Sequence, residues 1–223
     1  MIKRLALFCC ILLLPAIAAA EGTTNYGDFW VGGQVGGVFT LSRTAEVPAR
    51  PPVFQRSVNI DTDAAFSAGA IVGYNFCMPY RQIWERYFGL ALDFQWNQFS
   101  QSIDNFSGRS GNQYALGFLA RAQYPLMGDE NFTRGKWVPF IMAGPAIVWT
   151  SSNFSAFGGG TKTSTDVGVL VELGLEYFII PQLSIGPSFR YRHVFGSNQN
   201  FDNVTINQHL DQFMVLGRLA YHF

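Results

Sequence analysis

Seven ionisable side chains sit at alternating positions inside otherwise apolar stretches: Asp93, Arg121, Glu172, Glu176, Arg190, Arg192 and Arg218. Opposite charges spaced this way suit one of two tasks. They can pair in a buried network, or they can line a narrow path for ions. A second chemistry is suggested by "RYRHVFGSN", where His193 precedes Ser197 and Asn198. An imidazole near a hydroxyl is the raw material of an activated nucleophile, with Asp202 and Asp211 as the available acids. His209 and His222 stand apart from such partners. Scattered histidines and a lone Cys77 give no metal-ligand spacing. "GGQVGG" (32–37) and "FGGG" (157–160) precede no helix, so they do not read as phosphate loops. No catalytic residue, cofactor or metal is therefore expected.

The elements that hold these charges have a period of two. Eight strands are expected, at 29–39, 64–76, 87–99, 113–124, 137–149, 167–178, 183–195 and 211–223. In "YFGLALDFQWNQF", Phe88, Leu90, Leu92, Phe94 and Trp96 oppose Gly89, Ala91, Asp93, Gln95 and Asn97. In "VGVLVELGLEYF", five branched apolar residues and Tyr177 oppose Gly168, Glu172, Gly174 and Glu176. Only "WVPFIMAGPAIVW" is apolar on both parities and leaves its faces unassigned. Elsewhere the charges share a face with Gly, Ala and Ser, while the bulky residues take the other. A soluble barrel puts its large groups inside. Here the small, charged face must be the interior, and the large groups must meet lipid. A lipid-facing Arg at mid-depth would cost about 2–4 kcal/mol, which drives these charges into the lumen.

Composition agrees. Charged residues make up 13% of the chain, where about 25% is usual, and aromatics reach 16% with 23 glycines. The start, "MIKRLALFCCILLLPAIAAAEG", has the layout of a signal peptide over residues 1–20, with the remainder, 21–223, as one exported domain. Its apolar run is too short to span a bilayer, which takes about 20 residues. Without Lys3 and Arg4 the fifteen basic residues fall to thirteen against fifteen acidic, a net −2, so no nucleic-acid partner is expected. Cys77 is then the only cysteine, which excludes an internal disulfide.

Aromatic residues gather at two rims, Phe29, Tyr74, Phe76, Tyr124, Trp137, Tyr177 and Tyr221 against Phe39, Phe66, Trp96, Tyr114, Trp149 and Phe213. Long polar connections at 40–63, 100–112, 150–166 and 196–210 would face outward, and the shorter ones the periplasm. The stretch 125–136 is long for a periplasmic turn, which keeps a ten-stranded count open. Residues 211–223 would close the cylinder against 29–39 and remove both sheet edges.

The terminal Phe223, with Tyr221, Leu219 and Val215 at alternate positions, is similar to the C-terminal signal read by the outer-membrane assembly machinery. "YFGLALDF", "VPFIMAGPAI" and "LGLEYFIIPQLSIGPSFRYRHVF" resemble strands of the OmpA-type and opacity-type small barrels. The resemblance implies an all-β, eight-stranded antiparallel transmembrane barrel in the outer membrane of a Gram-negative-type bacterium. It also implies outer-membrane lipid and the assembly machinery as partners, with host or surface ligands reached through four loops. The chain ends at Phe223 without the peptidoglycan-binding domain of full-length OmpA-type proteins, so no wall tether is expected. A non-enzymatic structural or surface-display role follows, with a small diffusion channel as the alternative. A lipid A-modifying enzyme is a second alternative. The lipid A deacylases look similar around His193, but Phe195 stands where their His-x-Ser-Asn pattern has serine.

Overall fold

The computed structural model describes residues 28–41, 43–47, 56–62, 64–76, 87–103, 106–128, 132, 135–154, 159–201 and 204–223. The alternating stretches form ten strands: β1 (Asp28–Thr40), β2 (Arg43–Val47), β3 (Arg56–Thr62), β4 (Ala65–Asn75), β5 (Phe88–Ile103), β6 (Phe106–Gln123), β7 (Trp137–Phe154), β8 (Gly159–Ile180), β9 (Leu183–Phe201) and β10 (Val204–His222). Eight of them close a ring in the order β4-β1-β10-β9-β8-β7-β6-β5, with β5 returning to β4. β10 and β1 make the closing seam, from Trp30↔His222 to Thr40↔Gln212. β2 and β3 are a hairpin outside the ring, and β3 lies along the top of β5. The barrel count is therefore eight. The connection after β6 is no strand among its described residues and meets β7 at the bridge Leu126↔Trp137.

The ladder register sets the girth. Cross-strand partners run Leu126, Trp137, Tyr177, Ile185, Leu219, Gly33, Ala70, Phe94 and back to Leu116. One circuit thus returns to β6 ten residues from its start, at 116 against 126. Eight strands with that stagger tilt by roughly 40° around a backbone radius of about 8 Å. Such an interior holds side chains and little else.

Sidedness follows the parity. Phe189 and Leu219 are 62% and 50% exposed on the outer wall, while Arg190 and Arg218 beside them in sequence are 1% and 2% exposed. Val35, Leu90, Phe94, Phe118, Leu173 and Ile185 extend the bare apolar exterior. Apolar surface on this scale is stable only against acyl chains.

Two expectations need correction, and the faces left unassigned in β7 are settled. The inner wall is not confined to small and polar residues, because Trp30, Leu119, Phe140, Met142 and Leu170 join Ile71, Ala91 and Ala220 in a buried apolar cluster. A lumen of this girth would hold voids if lined by Gly and Ala alone, and close packing removes them. The same fact resolves β7. Val138, Phe140, Met142, Ala146, Val148 and Thr150 point inward, and Trp137, Ile141 and Ile147 outward. Both parities are apolar because one packs the lumen and the other meets lipid. Finally, the outward connections are shorter than expected. β5 runs to Ile103, β6 starts at Phe106, β8 starts at Gly159, and only residues 202–203 separate β9 from β10. Above the bilayer both faces of a strand meet water, so the ladder continues after the alternation has faded. Residues 1–20 and Cys77 lie outside the described residues.

Candidate functional site in the barrel lumen

β-Strand parity aims one side chain in two at the axis, and the inward ones stack into a polar column through the apolar packing. Its centre is Arg190 on β9. Register places Glu172 of β8 directly across from it. Arg190 Nε and Nη2 donate to Glu172 Oε2 at 3.0 and 2.6 Å. The same guanidinium reaches over the lumen to β5, donating from Nη1 to Asp93 Oδ2 at 2.8 Å and from Nη2 to Asp93 Oδ1 at 3.0 Å. Gln34 and Gln95 complete the layer, accepting from Arg190, and the Gln34 amide also donates to Asp93.

Arg218 of β10 links this layer to the next one towards the periplasm. Its Nη2 donates to Glu172 Oε1 at 2.5 Å, and its Nη1 lies 3.5 Å from Glu176 Oε1. Glu176 is gripped in fork-to-fork fashion by Arg121 Nη1 and Nη2 at 3.1 and 2.7 Å. The Arg121 and Arg218 guanidinium groups lie over Phe140 at 4.7 and 4.8 Å and over Trp30 at 5.0 and 5.7 Å. Aromatic faces favour cations in that position. At the floor, His222 meets Ser184 Oγ at 3.1 Å and packs against Trp30 and Phe178.

On the extracellular side stands Arg192. It is fully buried, and its Nε and Nη2 donate to Gln212 Oε1 at 2.9 and 2.7 Å. Nη2 also donates to Gln113 Oε1, and Gln113 passes the chain to Thr150 at 3.1 Å. Glu176 and Arg192 are therefore in separate layers. Asp93 and Arg121, on adjacent strands, each pair with a residue from another strand. Trp30, Phe140 and Gln113 were missed as members of the column. The available signal was spacing alone: Trp30 shares the parity of Gln34, and Gln113 that of Gly117 and Arg121.

This arrangement can hold charge and fill space. Each ion pair in the central layers has its carboxylate held by more than one donor, which offsets the cost of removing these ions from water. Every layer from His222 to Thr150 contains side chains.

The sequence matches the family described as outer membrane protein beta-barrel domain over residues 6–218. This chain belongs to that family. It is thus an integral protein of the bacterial outer membrane. Among solved structures, it is similar to OprG from Pseudomonas aeruginosa, with 15% identity and a TM-score of 0.61 over 89% of this chain and 97% of that one. It is also similar to Neisserial surface protein A, with 14% identity and a TM-score of 0.54 over 87% and 97%. At such identities these likenesses speak for the fold. Among curated proteins, none matches this chain.

The outer wall carries a second polar group. His193 and Asp211 are cross-strand partners on the outward parity, with Nδ1 and Oδ1 2.6 Å apart. Tyr191 donates its hydroxyl to the same Oδ1 at 2.6 Å. Phe195, against the His193 ring at 4.7 Å, takes the next outward place on β9. The side chain of Ser197, and Asp202 altogether, lie outside the described residues. At the C-terminus, Phe223 donates its backbone N–H to Phe29 O at 2.9 Å, and its ring meets Phe29 and Tyr221 at 5.7 and 5.0 Å. Val215, Leu219 and Tyr221 are exposed on the outer wall beside it.

Proposed function

We propose that this protein is a non-enzymatic scaffold with a sealed lumen, which stiffens the outer membrane and displays its extracellular connections to host, phage or neighbouring surfaces. The observation that carries this reading is the column from His222 to Thr150. It commits the interior to ion pairs and amide hydrogen bonds and leaves recognition to the outside, where loops on a rigid frame commonly carry it. Residues 1–20 would direct export and be removed. Val215, Leu219, Tyr221 and Phe223 would present the assembly machinery with an alternating apolar edge.

The experiment is to replace the tips at 48–55, 104–105, 155–158 and 202–203 with Gly-Ser. The scaffold reading expects an unchanged heat-modifiable barrel in the membrane fraction and reduced attachment of the expressing cells to epithelial monolayers. Attachment that survives all four replacements in a correctly folded barrel would overturn it.

A second reading, lipid A modification, is favoured by one observation, the carboxylate on the His193 ring at 2.6 Å. A carboxylate there orients an imidazole as a base. That reading expects a changed lipid A mass on expression, restored by His193→Ala. An unchanged spectrum removes it.

A further inference from the structure

Arg192 differs from the other three lumen arginines. Arg121, Arg190 and Arg218 each have a carboxylate oxygen within 4.0 Å. Arg192 has no such carboxylate among the described residues. Its acceptors are neutral amides: Gln212, Gln113 and, in the orientation that satisfies both ends of its amide, Asn97. Its Nη1 is buried and has no hydrogen-bond partner.

Among the described residues, the other inward acid of that end is Asp166, which accepts from Ser164 Oγ at 2.9 Å. Asp166 lies four residues up β8 from Leu170, the cross-strand partner of Arg192. That separation is about 13 Å along the strand. A guanidinium cannot shed its proton to relieve the cost of burial. Amide dipoles answer part of the charge and leave the two N–H groups of Nη1 without an acceptor. A buried cation in that state calls for an anion.

We propose that Arg192 is the core of an anion site in the extracellular half of the lumen, filled by one small monovalent ion such as chloride. The ion would enter from the outer mouth and accept from Nη1, with Gln113, Gln212 and Asn97 holding the guanidinium in place. A large or multivalent anion does not suit the site. Side chains fill the neighbouring described layers, and the charge to be answered is a single positive one. The site is independent of whether the barrel displays ligands, since it concerns only the charge of its interior.

The test is the unfolding midpoint of the refolded barrel in detergent, read by heat-modifiable migration. Chloride is compared with isethionate at equal ionic strength. For the wild type, saturating chloride raises the midpoint by roughly 3 °C over isethionate. Arg192→Gln abolishes that difference. Gln113→Glu keeps the arginine and supplies an internal counter-charge, so it folds with a raised midpoint and no longer responds to chloride. A wild-type midpoint indifferent to the anion would overturn the proposal and leave water as the partner of Nη1. A chloride response that persists in both variants would also overturn it.

Discussion

Arg190 and Asp93 come from strands on opposite sides of the barrel, with three strands between them whichever way the ring is followed, and they meet through two hydrogen bonds of 2.8 and 3.0 Å. They are 97 residues apart in the chain. With Glu172 on its near side, Arg190 works as a strut across the lumen. Arg190→Gln would leave the buried Asp93 without a cation and Glu172 with Arg218 alone, and is expected to cost about 3–5 kcal/mol. Urea unfolding in lipid vesicles measures this. A double-mutant cycle with Asp93→Asn should give a coupling of about 1–3 kcal/mol, since the pair is in direct contact.

The closing seam gives a sharper contrast. A Cβ on Gly36 would stand 1.9 Å from Val215 O, inside the backbone of β10, whereas a Cβ on Gly33 meets nothing within 4 Å. Gly36→Ala is expected to force β1 away from β10 and to deplete the heat-resistant folded band on gels. Gly33→Ala should fold like the wild type, within about 0.5 kcal/mol. Equal behaviour of the two variants would contradict the register of this seam.

Trp30 fills the periplasmic end of the lumen and is fully buried. Trp30→Ala should cost about 3–5 kcal/mol and strip the aromatic face from Arg121 and Arg218. Chemical denaturation followed by tyrosine or far-UV signals reports the loss. Trp30→Phe, which keeps a ring there, should recover much of it.

These experiments also separate what could be read in the sequence from what could not. Asp93, Glu172 and Arg190 show their parity through the bulky neighbours Phe94, Leu173 and Phe189, so a common face is legible. Their partners are not. Period two says that Arg121 points inward, but its meeting with Glu176 two strands away depends on the ten-residue stagger, which emerges only when the ring closes. Trp30 and Phe140 escaped for another reason. Bulk alone points to the lipid side, and a lumen this wide also needs bulk. β7 was ambiguous because its inward Met142 and outward Ile141 are equally apolar. The extra ladder beyond the bilayer, such as Thr163↔Ser151, follows no hydrophobic pattern at all.

The proposed assembly role of the C-terminal residue can be told apart from a role in folding. Removing Phe223 deletes, among its contacts, the backbone hydrogen bond to Phe29 and ring contacts with Phe29 and Tyr221. The refolded protein should lose about 2–4 kcal/mol in detergent. In cells the same deletion is expected to lower the membrane-inserted amount several-fold, because the alternating edge of Val215, Leu219, Tyr221 and Phe223 is cut short. Quantitative immunoblots of membrane fractions decide this. Parallel losses in both settings would reduce Phe223 to a packing residue.

Single-channel recording in planar bilayers bears most directly on the sealed lumen. The refolded wild-type barrel is expected to give a flat baseline under applied voltage. Reversing Glu172 to Lys, which sets it against Arg190 and Arg218, is expected to disrupt the column and produce irregular openings. Regular, uniform steps from the wild type, with a size altered by that reversal, would contradict a closed interior and make the column the lining of a pore.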